Sequence, residues 1–225
     1  MYKTIFHIII ILTLGCIVVS CDQKPYIPDL KETYHFQDKK PFGGFVMHNQ
    51  LKQMFPNNTV RHNEFSFADA WKYESDYNTL TVCITPFLTL DFEDIGAITN
   101  YVSSGNDLFI AASWIDNSLL SELSCKIGSG YSNLPAGKPL KNTHVNLARP
   151  VLSNNINYSY FYKPFNNYFY DIKNTNTKVL ATNENGQPNC IVVFYGKGRL
   201  FLHCDPRAFS NYFLLKKDNY QYFKI

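Results

Sequence analysis

Asn78-Thr79-Leu80-Thr81-Val82-Cys83-Ile84-Thr85-Pro86 and, further on, Asp107-Leu108-Phe109-Ile110-Ala111-Ala112-Ser113 decide how this 225-residue chain is read. Both runs are rich in β-branched and aromatic residues and read as strands, the first ending at Pro86 and buried. Between them Thr89 or Asp91 can cap a helix. Asp91, Glu93 and Asp94 suit its positive N-terminal end, Ile95, Ile98 and Val102 form one apolar stripe, and Gly105 stops it. Strand, helix and strand make a βαβ unit, whose crossover sets the two strands parallel in one sheet.

Working outward toward the N-terminus, Phe45, Val46, Leu51 and Met54 recur at helical spacing between Gly43-Gly44 and Pro56, and a short strand is expected around residues 59–61. Toward the C-terminus, residues 116–123 suit a short helix and 129–139 a loop. Residues 158–170 are dense in aromatic side chains. Tyr158, Tyr160 and Tyr162 alternate as one face of a strand would, a better account than a sugar-stacking surface. Residues 178–204 read as three strands joined at Asn185-Gly186 and Gly196-Lys197-Gly198. Asp205 then caps a helix that starts at Pro206 and turns Phe209, Phe213 and Leu214 inward. Together these elements predict an α/β fold of three layers around a largely parallel sheet, with a C-terminal β-hairpin region and a closing helix.

The N-terminus carries a different message. Lys3, the apolar run of residues 5–19 and Val18-Val19-Ser20-Cys21 follow the order of a bacterial lipoprotein signal, in which Cys21 becomes the acylated first residue. The run is about 15 residues, short of the roughly 20 that an uncleaved transmembrane anchor needs. The expected organisation is a signal peptide at 1–20, a tether at 21–40 containing Pro25 and Pro28, and a folded domain at 41–225. A lipid on Cys21 would hold the domain outside the cytoplasm, on the cell membrane or the outer membrane.

Composition narrows the function classes. The formal charge is +3 and no run of Lys or Arg exceeds two, so no nucleic-acid partner is expected. Hydrophobic residues make up 45% against 17% charged, the balance of a chain able to build a core. Cys83, Cys125, Cys190 and Cys204 lie too far apart for a metal-binding pair motif, and neither a metal nor another cofactor is expected. Cys190 and Cys204 are candidates for a disulfide if their strands are neighbours. In His203-Cys204-Asp205 the strand alternation turns Cys204 away from the other two, which disfavours a Cys-His dyad. Thr85, Ser113, Trp114 and His203 fall near strand ends, where open α/β sheets bind ligands, and form the candidate pocket. A hydrolase using Ser113 or Cys83 near His203 is the catalytic alternative, although Ser113 lacks the flanking glycines of a nucleophile elbow.

The order of Phe42-Gly43-Gly44, Leu80 to Pro86, Tyr101-Val102-Ser103-Ser104-Gly105, Leu108 to Ala112, Val179-Leu180-Ala181, Gly196-Lys197-Gly198-Arg199 and Pro206, Phe209 and Asn211 resembles a bacterial domain-of-unknown-function family of the class I glutamine-amidotransferase-like superfamily. The resemblance spans residues 41–223. It implies a flavodoxin-like or amidotransferase-like sheet, association with the membrane, and a protein partner at the envelope such as a MoxR-associated system. It implies no established activity. Members often continue past the last helix, so a shortened member is expected here. The resulting expectation is a lipid-anchored, non-catalytic binding or scaffold module.

Overall fold

The computed structural model describes residues 28–72, 78–128, 140–148, 157–162 and 166–224. In chain order, α1 (Phe45–Met54) and α2 (Phe67–Trp71) precede β1 (Leu80–Leu88), α3 (Phe92–Ser103), β2 (Asp107–Ile115) and α4 (Asn117–Glu122). Then follow β3 (Lys126–Gly128), β4 (Lys141–Leu147), β5 (Asn157–Tyr162), β6 (Tyr168–Tyr170), β7 (Thr177–Asn183), β8 (Pro188–Tyr195) and β9 (Gly198–His203). The chain closes through a 3₁₀ turn at Pro206–Phe209, the short α5 (Asn211–Leu214) and a second 3₁₀ segment at Asn219–Lys224.

The βαβ unit forms as read. Asp91 caps α3 by accepting from the Asp94 backbone N–H at 2.8 Å, Gly105 takes φ +110° past its end, and β1 and β2 pair in parallel. The sheet around them departs from the expected one. Seven strands lie in the order β1-β2-β9-β8-β7-β4-β5, and only the β1/β2 and β2/β9 pairs are parallel. The pairs β8/β9, β7/β8, β4/β7 and β4/β5 are antiparallel. The fold is thus a mixed, mainly sheet structure with few helices, and the three-layer, largely parallel, flavodoxin-like or amidotransferase-like architecture is overturned. The physical cause lies in the connections. A parallel return needs a crossover of a dozen or more residues, while β7, β8 and β9 are joined by tight turns at Gly186 (φ +76°) and Gly196 (φ +60°), which can only reverse the chain.

Smaller expectations also change. The ladder runs through Pro86, with Thr85 opposite Ala112 and Phe87 opposite Trp114. Proline is tolerated there because β1 is an edge strand, and for the same reason β1 is mostly half-buried and not a core strand. Residues 59–61 form no strand. The closing helix is broken at Ser210, whose extended backbone (ψ 160°) separates the 3₁₀ turn from α5. All four cysteines of the described residues are free, and the Cys204 thiol donates to the Asn189 carbonyl at 3.3 Å in place of a bond to Cys190. The loop expected at 129–139 and the signal at 1–20 lie outside the described residues.

Strand alternation gives the sheet two faces. One carries Leu108, Ile110, Leu200, Leu202, Ile191 and Val193, sealed by Ile98 and Val102 of α3, Leu119 and Leu120 of α4, and Phe169 of the small β3/β6 ribbon. The other carries Ala111, Val145, Tyr158, Tyr160, Ala181 and Cys190 under Met47 of α1 and Phe209, Phe213 and Tyr222 of the C-terminal turns. Tyr158 and Tyr160 are each 1% exposed, so their alternation belongs to a core strand. Residues 28–40 do not run free throughout. From Glu32 onward they pack on the domain, with Tyr34 buried and its backbone N–H, like that of Thr33, donating to the Phe42 carbonyl. Gly44 permits this, since a Cβ there would lie 2.3 Å from the Tyr34 carbonyl oxygen.

Candidate functional site

The four residues expected to form a pocket separate when the register is followed. Thr85 stands opposite Ala112 and Trp114 opposite Phe87, so these side chains share the face of Ile110 and Leu202. Ser113 falls between them and points the other way, toward the face of Ala111 and His203. Thr85 Oγ1 donates to the carbonyl of Phe87 at 3.0 Å, the Ser113 carbonyl accepts from Asn167 Nδ2 at 2.7 Å, and Trp114 is 41% exposed beside the more exposed Phe87. Ser113 thus shares the face of His203, while Thr85 and Trp114 lie on the other.

His203 is fully buried and both ring nitrogens are engaged. Nδ1 accepts from the Asp205 backbone N–H at 2.9 Å, which leaves the proton on Nε2, and Nε2 lies 2.7 Å from Tyr222 Oη. Burial pushes the imidazole down to about 3, so the ring is neutral. It is a fastener for the C-terminal turn. Cys83 is on the opposite face from His203, and burial raises its thiol to about 11, far from a reactive thiolate.

A charged cluster that the sequence did not reveal sits beside this fastener. The Asp205 carboxylate accepts from Tyr160 Oη at 2.9 Å and from the Arg207 backbone N–H at 3.3 Å. Arg207, 4% exposed, places Nε 3.2 Å from Glu32 Oε1 as an ion-pair contact and its guanidinium over the Tyr162 ring, while Tyr34 Oη donates to Glu32 Oε2. Burial raises the Asp205 carboxyl against the opposing pull of Arg207 and Tyr160. The cluster locks the N-terminal strap to the end of β9. Its members contact one another inside the fold, which suits a structural role.

The open surface with binding capacity lies elsewhere on the same face. Where α1 and the C-terminal segment stop short, Val82, Phe109, Leu180 and Phe201 floor a trough of about 1070 Å³, walled by Met54 and Phe223. Arg199 and Asp107, opposite one another in the β2/β9 ladder, join across its end through Arg199 Nε at 3.0 Å and a second guanidinium contact. Lys178 lies at the β7 end of the trough with Nζ over the Phe194 ring at 5.3 Å. Each residue is visible in the sequence, yet strand order alone sets β9 beside β2 and β7 two strands beyond β9. Among the described residues no group of three His, Cys, Asp or Glu side chains could hold a metal ion.

Residues 38–223 match the family model described as a domain of unknown function, DUF4350. The chain belongs to the DUF4350 family. No curated protein matches its sequence. The DUF4350 domain is similar in structure to the N-terminal domain of mmIFT52, with a TM-score of 0.54 at 13% identity over 78% of this chain and 86% of that one. A ThuA-like protein from Bacteroides uniformis ATCC 8492 aligns with a TM-score of 0.53 at 11% identity, over 80% and 79% of the two chains. At these identities the likeness is one of fold alone, and the functional reading of the DUF4350 domain rests on its own residues.

Proposed function

We propose that this DUF4350 protein is a lipid-anchored module at the cell envelope whose domain binds and does not catalyse. The observation that carries the reading is the trough, an apolar surface left open beside the core that α1 and the C-terminal turns cover. Ser113 shares the face of His203, but both ring nitrogens of His203 are spent on Asp205 and Tyr222 and Cys83 lies on the other face, which supports binding against a hydrolase. The lipoprotein signal ending at Cys21, the kinship with the amidotransferase-like superfamily and a MoxR-associated protein partner enter the proposal from the sequence. Among the described residues no helix is long and apolar enough to cross a membrane, and an acyl chain on Cys21 would supply the anchor.

Two measurements test it. A clickable fatty acid fed to expressing cells is expected to label the wild-type chain and not the Cys21→Ala variant, and label retained on that variant overturns the anchor. Fluorophosphonate and iodoacetamide probes are expected to react no faster with the folded protein than with the unfolded chain. Selective fast reaction at Ser113 or Cys83 overturns the binding reading in favour of catalysis.

A further inference from the structure

We propose that the trough holds the alkyl chain of a long-chain carboxylate, with Lys178, at its β7 end, receiving the carboxylate; this rests on the binding reading and names the ligand class. The volume of about 1070 Å³ stands just above the usual range of small-molecule sites, roughly 300 to 1,000 Å³, as room for a long ligand requires. The floor crosses from β1 through β2, β9 and β8 to β7. Four interstrand spacings make that path about 19 Å, the scale of an extended long alkyl chain.

The chemistry of the floor selects among occupants. Its peptide groups bond to neighbouring strands in the plane of the sheet, so the trough presents side chains such as Val82, Phe109 and Phe201 and few groups to pair with a polar ligand. An extended peptide laid there would bury unpaired amides, at a cost that an alkyl chain escapes. A helix satisfies its own backbone, but it is about 10 Å across and a stable protein interface takes about 800 Å² from each side. A trough of small-molecule size, walled by Met54 and Phe223, suits the narrower chain.

Charge fixes the headgroup. Arg199 and Asp107, the one carboxylate among the described residues lining the trough, neutralise each other on β9 and β2, which leaves the β7 end, with Lys178, net positive. The Arg199 fork is already spent on both oxygens of Asp107, so the ammonium of Lys178 is the cation left for a ligand carboxylate. Among the described residues Lys178 has no carboxylate partner, and it keeps its ammonium over Phe194.

The test uses the full chain carrying Cys21→Ala, so that covalent acylation does not contribute, incubated in cell extract with a photoreactive, alkyne-bearing palmitate. Irradiation is expected to label peptides of β1, β2 or β9. Oleate should compete about tenfold better than the matching long-chain alcohol, and Lys178→Glu should lower labelling by about tenfold. Leu80→Glu, on the exposed rim, should also lower it at an unchanged urea midpoint, which separates loss of the site from loss of the fold. Absent labelling, labelling outside the trough, equal competition by the alcohol, or labelling indifferent to Lys178→Glu each overturns the proposal. If that happens while the activity probes stay silent, the binding reading survives without this ligand; fast probe reaction at Ser113 or Cys83 removes both.

Discussion

On one face of the sheet Leu108, Ile110 and Leu202 are wholly covered by α3, α4 and the β3/β6 ribbon, whereas on the other Val82, Phe109 and Phe201 are only partly covered. The two faces belong to the same strands and differ by one residue of register. What separates them is the supply of covering elements. The closed face receives the crossover helix of the βαβ unit, which the topology obliges to lie there. The open face receives α1 and the C-terminal turns, held by Arg207, His203 and Asn211 over its upper half only. The closed face therefore carries fold stability, and the open one has room for a ligand.

The largest effect that would break this comparison is a truncation applied to both faces. Leu202→Ala removes a fully buried side chain from the closed face and is expected to cost about 2–5 kcal/mol. Leu80→Ala, at 43% exposure on the rim of the trough, is expected to stay within about 0.5 kcal/mol. Urea unfolding of both variants checks the pair. Equal losses would mean that the trough is packed in solution.

A smaller, pH-dependent effect addresses the fastener of the open face. His203 is neutral in the fold and protonates only near pH 3, while in the unfolded chain it takes up its proton near 6.5. Between those values the unfolded state binds more protons, so stability is lost as pH falls from about 6.5 toward 3 and is unaffected by this group above that window. The raised carboxyl of Asp205 acts in the opposite sense, favouring the fold at low pH. His203→Gln is expected to be less stable than wild type at pH 7 and to lose less on acidification to pH 4, read as urea midpoints across the window. Parallel pH profiles for the two proteins would show that His203 is not the buried neutral group described here.

Much of the closed face was legible in the sequence, because its signals are local. Asp91 and Gly105 bound α3, Ile98 and Val102 mark its inner stripe, and β1 and β2 follow from their apolar runs. The hairpins at Gly186 and Gly196 are also legible, and their tight turns by themselves oppose a largely parallel sheet. The open face depends on strand order. Nothing local says that Arg199 lies against Asp107, 92 residues away, or that Glu32 meets Arg207. His203 was seen as polar, but its burial follows from Tyr222, in a 3₁₀ segment too irregular for periodicity to reveal. For the same reason Thr85, Ser113, Trp114 and His203 seemed to converge. Position along a strand is legible, whereas the face each side chain takes depends on register.

The smallest expected effect compares how the covering helices of the two faces are begun. On the closed face α3 has its own cap, Asp91, bonded to the Asp94 N–H. On the open face α1 starts at Gly44 with no side-chain cap of its own, and its Val46 N–H is met at 2.8 Å by Asn211 Oδ1, from the far end of the chain. Asp91→Ala should cost about 1 kcal/mol, the ordinary value of an N-cap, and should leave ligand capture by the trough unchanged because only the closed face is touched. Asn211 also donates from Nδ2 to the carbonyls of Asp38 and Lys40 at 2.7 Å, so Asn211→Ala should cost more than Asp91→Ala and alter capture as well. Urea midpoints and photolabelling measured on both variants distinguish the cases. If Asp91→Ala moved capture as much as Asn211→Ala, the faces would be coupled through the sheet, and the division between a face for folding and a face for binding would fail.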